Sequence, residues 1–159
     1  ADIIREMFTF RPEIIDPARS LVESLNKAPV ALHIRRGDFL RNSANHHNLD
    51  LQWYANALNK FDLDGRQVAI FSDDPEWCKK QELFEDDDVF LISEGNSHYV
   101  DLAMMSLCTG HIIANSTFSW WGAWLANSQE VIAPKTWFGP NNAHLDTKDL
   151  YPDHWEVIE

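Results

Sequence analysis

The chain has 159 residues, 45% hydrophobic and 24% charged, which suits one soluble domain with its own core. A formal net charge of -12 excludes general binding to nucleic acid or to anionic membranes, since both need a positive field. No apolar run reaches membrane-spanning length and no signal peptide is visible, so a cytoplasmic location is expected. A longer precursor would leave membrane-peripheral or lumenal placement open.

In chain order, Asp16-Pro17 reads as a cap followed by proline at the first helical position. Leu21, Val22 and Leu25 supply the buried stripe of that helix, which ends near Asn26. Val30 to about Arg35 is a first strand. Residues 39–49 are polar and mixed, so an exposed loop is expected there, and long loops often carry function. Asp50 caps a helix carrying Leu51, Tyr54, Ala55 and Leu58 on one face. Gln67–Phe71 is a second strand, and Ser72-Asp73-Asp74-Pro75 leads into a helix through Trp77 and Leu83.

Val89–Ile92 is a third strand. A helix over Tyr99–Thr109 follows, with Leu102, Met105 and Ser106 or Leu107 inward, and Gly110 as its terminator. His111–Ala114 is a fourth strand, Phe118 to about Ala126 a helix, and Glu130–Pro134 a fifth short strand. The tail from Lys135 reads as irregular structure with a short terminal helix or strand. Cys78 and Cys108 lie far apart with no CxxC, and read as reduced, partly buried thiols rather than a disulfide.

Short apolar strands alternating with helices predict an α/β fold: a Rossmann-like, three-layer parallel sheet of about five strands. In a 3-2-1-4-5 order the ligand crevice opens between the first and fourth strands, beyond their carboxyl ends. Those ends are His33–Asp38 and Asn115–Ser119, so the two stretches are read together.

Arg35 and Arg36 stand side by side in a chain with only 13 basic residues. Guanidinium grips phosphate through a planar fork of donors. Strand alternation sends the two to opposite faces, so only one faces a ligand. The other pairs with Asp38 or with an acid from a neighbouring helix. His33 is either an orienting hydrogen-bond partner or a satisfied buried imidazole. Asn115-Ser116-Thr117-Phe118-Ser119 opens a helix whose free N–H groups attract anions, and it carries more hydroxyls than capping needs.

Asn115 also begins a glycosylation sequon, but at a strand end that would be hard to reach. Either Asp73 or Asp74 can accept hydrogen bonds from a ribose or a base, the other being a helix cap. Asp101 sits in the first turn of its helix, where the dipole alone would favour it. Trp120 and Trp124 share a helix face, extended by Trp121 with Leu125. Core packing is expected there, and a sugar-stacking platform is the alternative. His46-His47 has no third ligand at recognisable spacing, so no metal is assigned.

The runs HIRRGDF (33–39), HHNLDLQWYANAL (46–58), FSDD (71–74), DLAMMSLCTGHIIANSTFSWWGAWL (101–125) and VIAPKTWF (131–138) resemble the alpha-1,2-fucosyltransferase family. That resemblance runs from about Pro29 to Trp155. It implies an inverting transferase moving L-fucose from GDP-fucose to a galactoside hydroxyl, without metal or other cofactor. The fold implied is the donor-binding half of a two-domain GT-B enzyme. Residues 1–28 do not match the amino-terminal, acceptor-side half, which begins with a GGLGNQ-like strand and loop. A separate or missing amino-terminal domain is therefore an expected partner, beside GDP-fucose and a galactose-terminated glycan.

By motif, the resemblance makes Arg35 the catalytic and pyrophosphate-binding residue, with Ser116, Thr117 and neighbouring N–H groups. His33 and Asp101 are implied at guanine, Asp73 or Asp74 on the nucleotide side, and Asn115 and Phe118 within the same donor site. Arg36, Asp38 and Asp74 are expected to support the site structurally. The base that takes the acceptor proton is unassigned, and is sought on the other half or in residues 39–49. Two alternatives stand beside this reading: a transferase for another GDP-sugar, and a non-catalytic glycan- or protein-binding module. The module would present Trp120 and Trp124 in one exposed patch.

Overall fold

The computed structural model describes residues 2–159. Six strands form one sheet: β1 (Val30–Ile34), β2 (Val68–Ser72), β3 (Phe90–Ile92), β4 (Gly110–Ile112), β5 (Glu130–Pro134) and β6 (Glu156–Ile158). Their order is β3-β2-β1-β4-β5-β6, and every neighbouring pair is parallel. The α/β class and the 3-2-1-4-5 order hold, and the tail adds a sixth strand to the expected five. Strand order reverses between β1 and β4, which opens the crevice beyond their carboxyl ends.

The helices are α1 (Asp2–Met7), α2 (Pro12–Glu23), α3 (Gly37–Arg41), α4 (Leu51–Lys60), α5 (Pro75–Cys78), α6 (His98–Leu107) and α7 (Thr117–Leu125). Alternation along β1 divides the core. Val30, Leu32 and Ile34 face Trp53, Tyr54 and Ala57 of α4, while Ala31 joins Ala18 of α2 and Ala103, Met104 and Met105 of α6. Cys78 packs in the first cluster and Cys108 in the second; both thiols are free. Burial pushes the Cys108 thiol up to about 12.

Three sequence expectations are corrected. α2 begins at Pro12, with Pro17 inside it rather than at its start. The carbonyl that Pro17 leaves without a helical donor belongs to exposed Glu13, so water can satisfy it. The helix expected through Trp77 and Leu83 splits into α5 and a 3-10 turn over Glu82–Phe84. Residues 39–49 are not simply an exposed loop, because Phe39 is buried in α3 and stacks on His46 at 4.2 Å.

The tryptophan helix α7 packs against the sheet through a third cluster. Trp120 and Trp124 stack at 6.0 Å and lie against Ile113, Ala123, Val131, Ala133 and Trp155. Trp120 donates its indole N–H to the Leu150 carbonyl at 2.8 Å, and Arg5 covers Trp124. Between α6 and α7 the approach is close enough that a Cβ on Gly122 would stand 2.7 Å from the Cβ of Met105. Gly122→Ala is therefore expected to cost about 1–3 kcal/mol through overpacking. A urea midpoint unchanged from wild type would contradict that packing.

Candidate active site

The carboxyl ends of β1, β2 and β4 open into a cleft of about 530 Å³. His33 and Arg35, two apart on β1 and just past it, share the face that looks into this cleft. Arg36 turns the other way. Its Nε donates to Asp74 Oδ2 at 3.2 Å, and its guanidinium lies 3.8 Å from the Trp77 ring centroid. Asp74 caps α5 by accepting from the Trp77 N–H. Arg36 and Asp74 thus lie behind the cleft wall.

Arg35 is held by two carboxylates. Nη2 donates to Asp38 Oδ1 at 2.6 Å, and Nη1 stands 3.2 Å from Asp73 Oδ2. Asp38 therefore pairs with Arg35, not with Arg36. The second Asp73 oxygen accepts from the Arg36 backbone N–H at 2.8 Å. Asp73 lies so close to Gly37 that a Cβ there would meet its Oδ2 at 2.4 Å, so residue 37 must be bare for the carboxylate to reach Arg35. Arg35 Nε is a buried donor with no protein partner.

Across the strand-order reversal stands the start of α7. Ser116 caps it, its hydroxyl accepting from the Phe118 N–H, and Ser116, Thr117 and Phe118 all line the cleft. Ser119, just inside the helix, lies 2.8 Å from His33 Nδ1 and ties β1 to α7. His33 is 5% exposed; burial, with Arg35 adding to it, lowers its pKa to about 3, so the ring stays neutral.

Asn115 also borders the cleft, but its side-chain amide is spent on two main-chain carbonyls. It donates to His47 at 2.9 Å and to Trp137 at 2.8 Å. Buried and doubly bonded, it ties the 42–47 segment and the 137–139 segment to the end of β4. Gly139 N–H donates to the Asn45 carbonyl, and a Cβ on Gly139 would strike the Ser43 and Ala44 carbonyl oxygens. His46 bridges Phe138 in a single antiparallel pair.

At the other end of the cleft, Asp101 of α6 accepts from the Ser93 hydroxyl at 2.7 Å. Burial raises its carboxyl pKa, and the Ser93 hydrogen bond opposes the shift. His98, its ring tilted against that of Tyr99 with centroids 4.0 Å apart, lies one turn before Asp101 on α6. Of the sequence candidates, His33, Arg35, Asp73, Asp101, Asn115, Ser116, Thr117 and Phe118 all line the one cleft. Arg36, Asp38 and Asp74 do not. Reading the sequence missed Phe39, His46, His98, Trp137 and Phe138 as lining residues. Only the paired histidines of the 39–49 segment had stood out there. Among the described residues no group of three or more His, Cys, Asp or Glu side chains could hold a metal ion. None of their helices is long and apolar enough to cross a membrane.

Burial of His33 and of His111, whose pKa is lowered to about 4, has a measurable consequence. Below the ordinary imidazole value of about 6.5 the unfolded chain takes up protons that the folded chain refuses. Stability contributed by the two neutral rings is thus complete above that value and is lost as pH falls toward 4 and then 3. The urea midpoint should drop between pH 7 and pH 4.5, and a flat profile would contradict the two buried rings.

Residues 3–159 match the family model described as glycosyl transferase family 11. The chain belongs to glycosyl transferase family 11. Among its relatives, an alpha-1,2-colitosyltransferase of Escherichia coli is 41% identical, over 82% of this chain and 47% of that protein. The O-antigen biosynthesis glycosyltransferase WbnK of the same organism is 34% identical, over 94% of this chain and 54% of that protein. Human galactoside alpha-(1,2)-fucosyltransferase 1 is 25% identical, over 80% of this chain and 39% of its own length. The crystal structure of POFUT1 in complex with GDP superposes with a TM-score of 0.60 at 18% identity. It covers 79% of this family 11 chain and 47% of that chain, a likeness of fold. The chain spans about half the length or less of the relatives it matches.

Proposed function

We propose that this family 11 chain holds the donor of an alpha-1,2-fucosyltransferase, and that the whole protein transfers L-fucose from GDP-fucose to a galactoside hydroxyl. One observation carries the reading: the Arg35 guanidinium and the N-terminus of α7 line one cleft across the strand-order reversal. Both are suited to a pyrophosphate, and the partnerless Nε–H of Arg35 is a donor that a phosphate oxygen can satisfy. In the transfer step Arg35 and the α7 N–H groups stabilise the charge that builds on departing GDP. Asp101, a hydrogen-bonding carboxyl at the Ser93 end, takes the N–H groups of guanine, with His33 nearby.

At the opposite end, Phe39, Trp137 and Phe138 offer an apolar wall beside His46, suited to the methyl group of a 6-deoxy sugar. A colitose donor is the second reading, favoured by the 41% identity to a colitosyltransferase. Its sugar keeps that methyl and lacks one fucose hydroxyl. The rival of a non-catalytic module needs Trp120 and Trp124 as an open platform, but both pack into the α7 cluster. Calorimetry with GDP, followed by displacement with GDP-fucose, GDP-colitose and GDP-mannose, tests the proposal. Saturable GDP binding with GDP-fucose preferred over GDP-mannose is expected, and no GDP binding would sink it.

A further inference from the structure

The donor reading leaves open which group takes the acceptor proton, and the structure narrows the choice. The ionisable side chains lining the cleft are His33, Arg35, His46, Asp73, His98 and Asp101. Arg35 and Asp73 are bound to one another, and Asp73 also accepts from the Arg36 N–H. His33 holds Ser119 through Nδ1, and burial with Arg35 nearby lowers its pKa to about 3, which leaves the ring too weak a base. Asp101 accepts from Ser93, and His98 lies one turn before it, so both belong to the β3–α6 end of the cleft.

His46 remains. Its ring stacks face to face on Phe39 at 4.2 Å with planes 5° apart, and stacking leaves the ring edge, where both nitrogens lie, unused. Phe39 in turn lies under the Arg35 guanidinium, 5.4 Å from its centroid. The histidine backbone is pinned by the bridge to Phe138, and the neighbouring His47 carbonyl by Asn115. A free imidazole is thus fixed at the Phe39–Phe138 end, with the Phe39 ring linking it to the arginine assigned to the leaving group.

We infer that His46 is the general base of the transfer, an inference that rests on the donor reading above. The acceptor hydroxyl gives its proton to a ring nitrogen of His46 as its oxygen bonds to the anomeric carbon. The bond from that carbon to the β-phosphate oxygen breaks on the opposite face, and its electron pair departs with GDP beside Arg35. Imidazolium then returns the proton to water. No other co-reactant is required.

The test uses two measurements. His46→Phe keeps an aromatic ring against Phe39 but has no basic nitrogen, and His46→Gln keeps polarity without the ring. In the whole protein containing this chain, both variants should bind GDP-fucose within about threefold of wild type and turn it over about 10²- to 10⁴-fold more slowly. Turnover within threefold of wild type in either variant overturns the assignment. Independently of turnover, the His46 ring nitrogen resonances of this chain should shift with GDP-fucose but not with GDP, since only the sugar reaches that end. Equal shifts with both ligands, or none with either, also overturn it. Failure of the wild type to bind GDP at all would instead defeat the donor reading, and calorimetry detects that separately.

Discussion

Arg35→Ala is expected to weaken GDP binding by about 2–3 kcal/mol, the worth of a charge-assisted contact, and to slow transfer roughly 10²- to 10³-fold. Two effects add. The fork of donors is lost, and Asp38 and Asp73, now neutralised by Arg35 at 2.6 and 3.2 Å, are left as uncompensated carboxylates near the phosphates. Arg35→Lys should recover only part of the affinity, because one ammonium cannot serve both carboxylates and an anion with the geometry of a planar fork. Arg36→Ala is the internal control. Its side chain engages Asp74 and Trp77 behind the cleft wall, so GDP affinity should stay within about threefold while some stability is lost. Calorimetry on the three variants decides the matter, and equal weakening by Arg35→Ala and Arg36→Ala would refute the division of labour.

Asn115→Ala should be among the most damaging single changes for stability. It deprives the His47 and Trp137 carbonyls of their donor at a site that is 4% exposed. An unsatisfied buried acceptor costs about 1–3 kcal/mol, so roughly 2–6 kcal/mol is at stake before the segments relax toward water. Relaxation would lower the cost and show itself differently, as faster amide exchange over residues 42–47 and 137–139 with α4 and β2 still protected. Wild-type exchange in both segments would mean that the amide does not hold them. The same bonds bear on the sequon, since a side-chain nitrogen buried under two carbonyls offers no room for a glycan.

How far this could be read in advance follows from where the information lies. β1, β2 and β5 announce themselves as continuous apolar runs, because strands covered on both faces need no alternation. β6 does not: Glu156 and Val157 are exposed at the sheet edge and only Ile158 is buried, which leaves no pattern. The start of α2 was misplaced because two prolines both suit a first helical turn, and sequence grammar cannot rank Pro12 above Pro17.

Within the site, the His33–Asp38 and Asn115–Phe118 stretches were legible, since strand ends at a reversal of strand order are local features. The role of Asn115 was not, because its partners sit 68 and 22 residues away. Nor was the pairing of Asp38 with Arg35, which depends on α3 turning the carboxylate back over one β1 face and not the other. Phe39 and His46 were hidden by the polar composition around them. Two aromatic residues seven positions apart form a stack only when the intervening turns fold back.

The sixth strand sets a timetable for synthesis. Trp137 and Phe138 wall the cleft, and the segment that carries them is anchored downstream by the Tyr151 hydroxyl on Pro134 and by pairing of β6 with β5. The β3-β2-β1-β4 part of the sheet can assemble while later residues are still inside the ribosome. The wall beside His46 is locked only after Ile158 has emerged, so the cleft is completed later than the sheet that carries it.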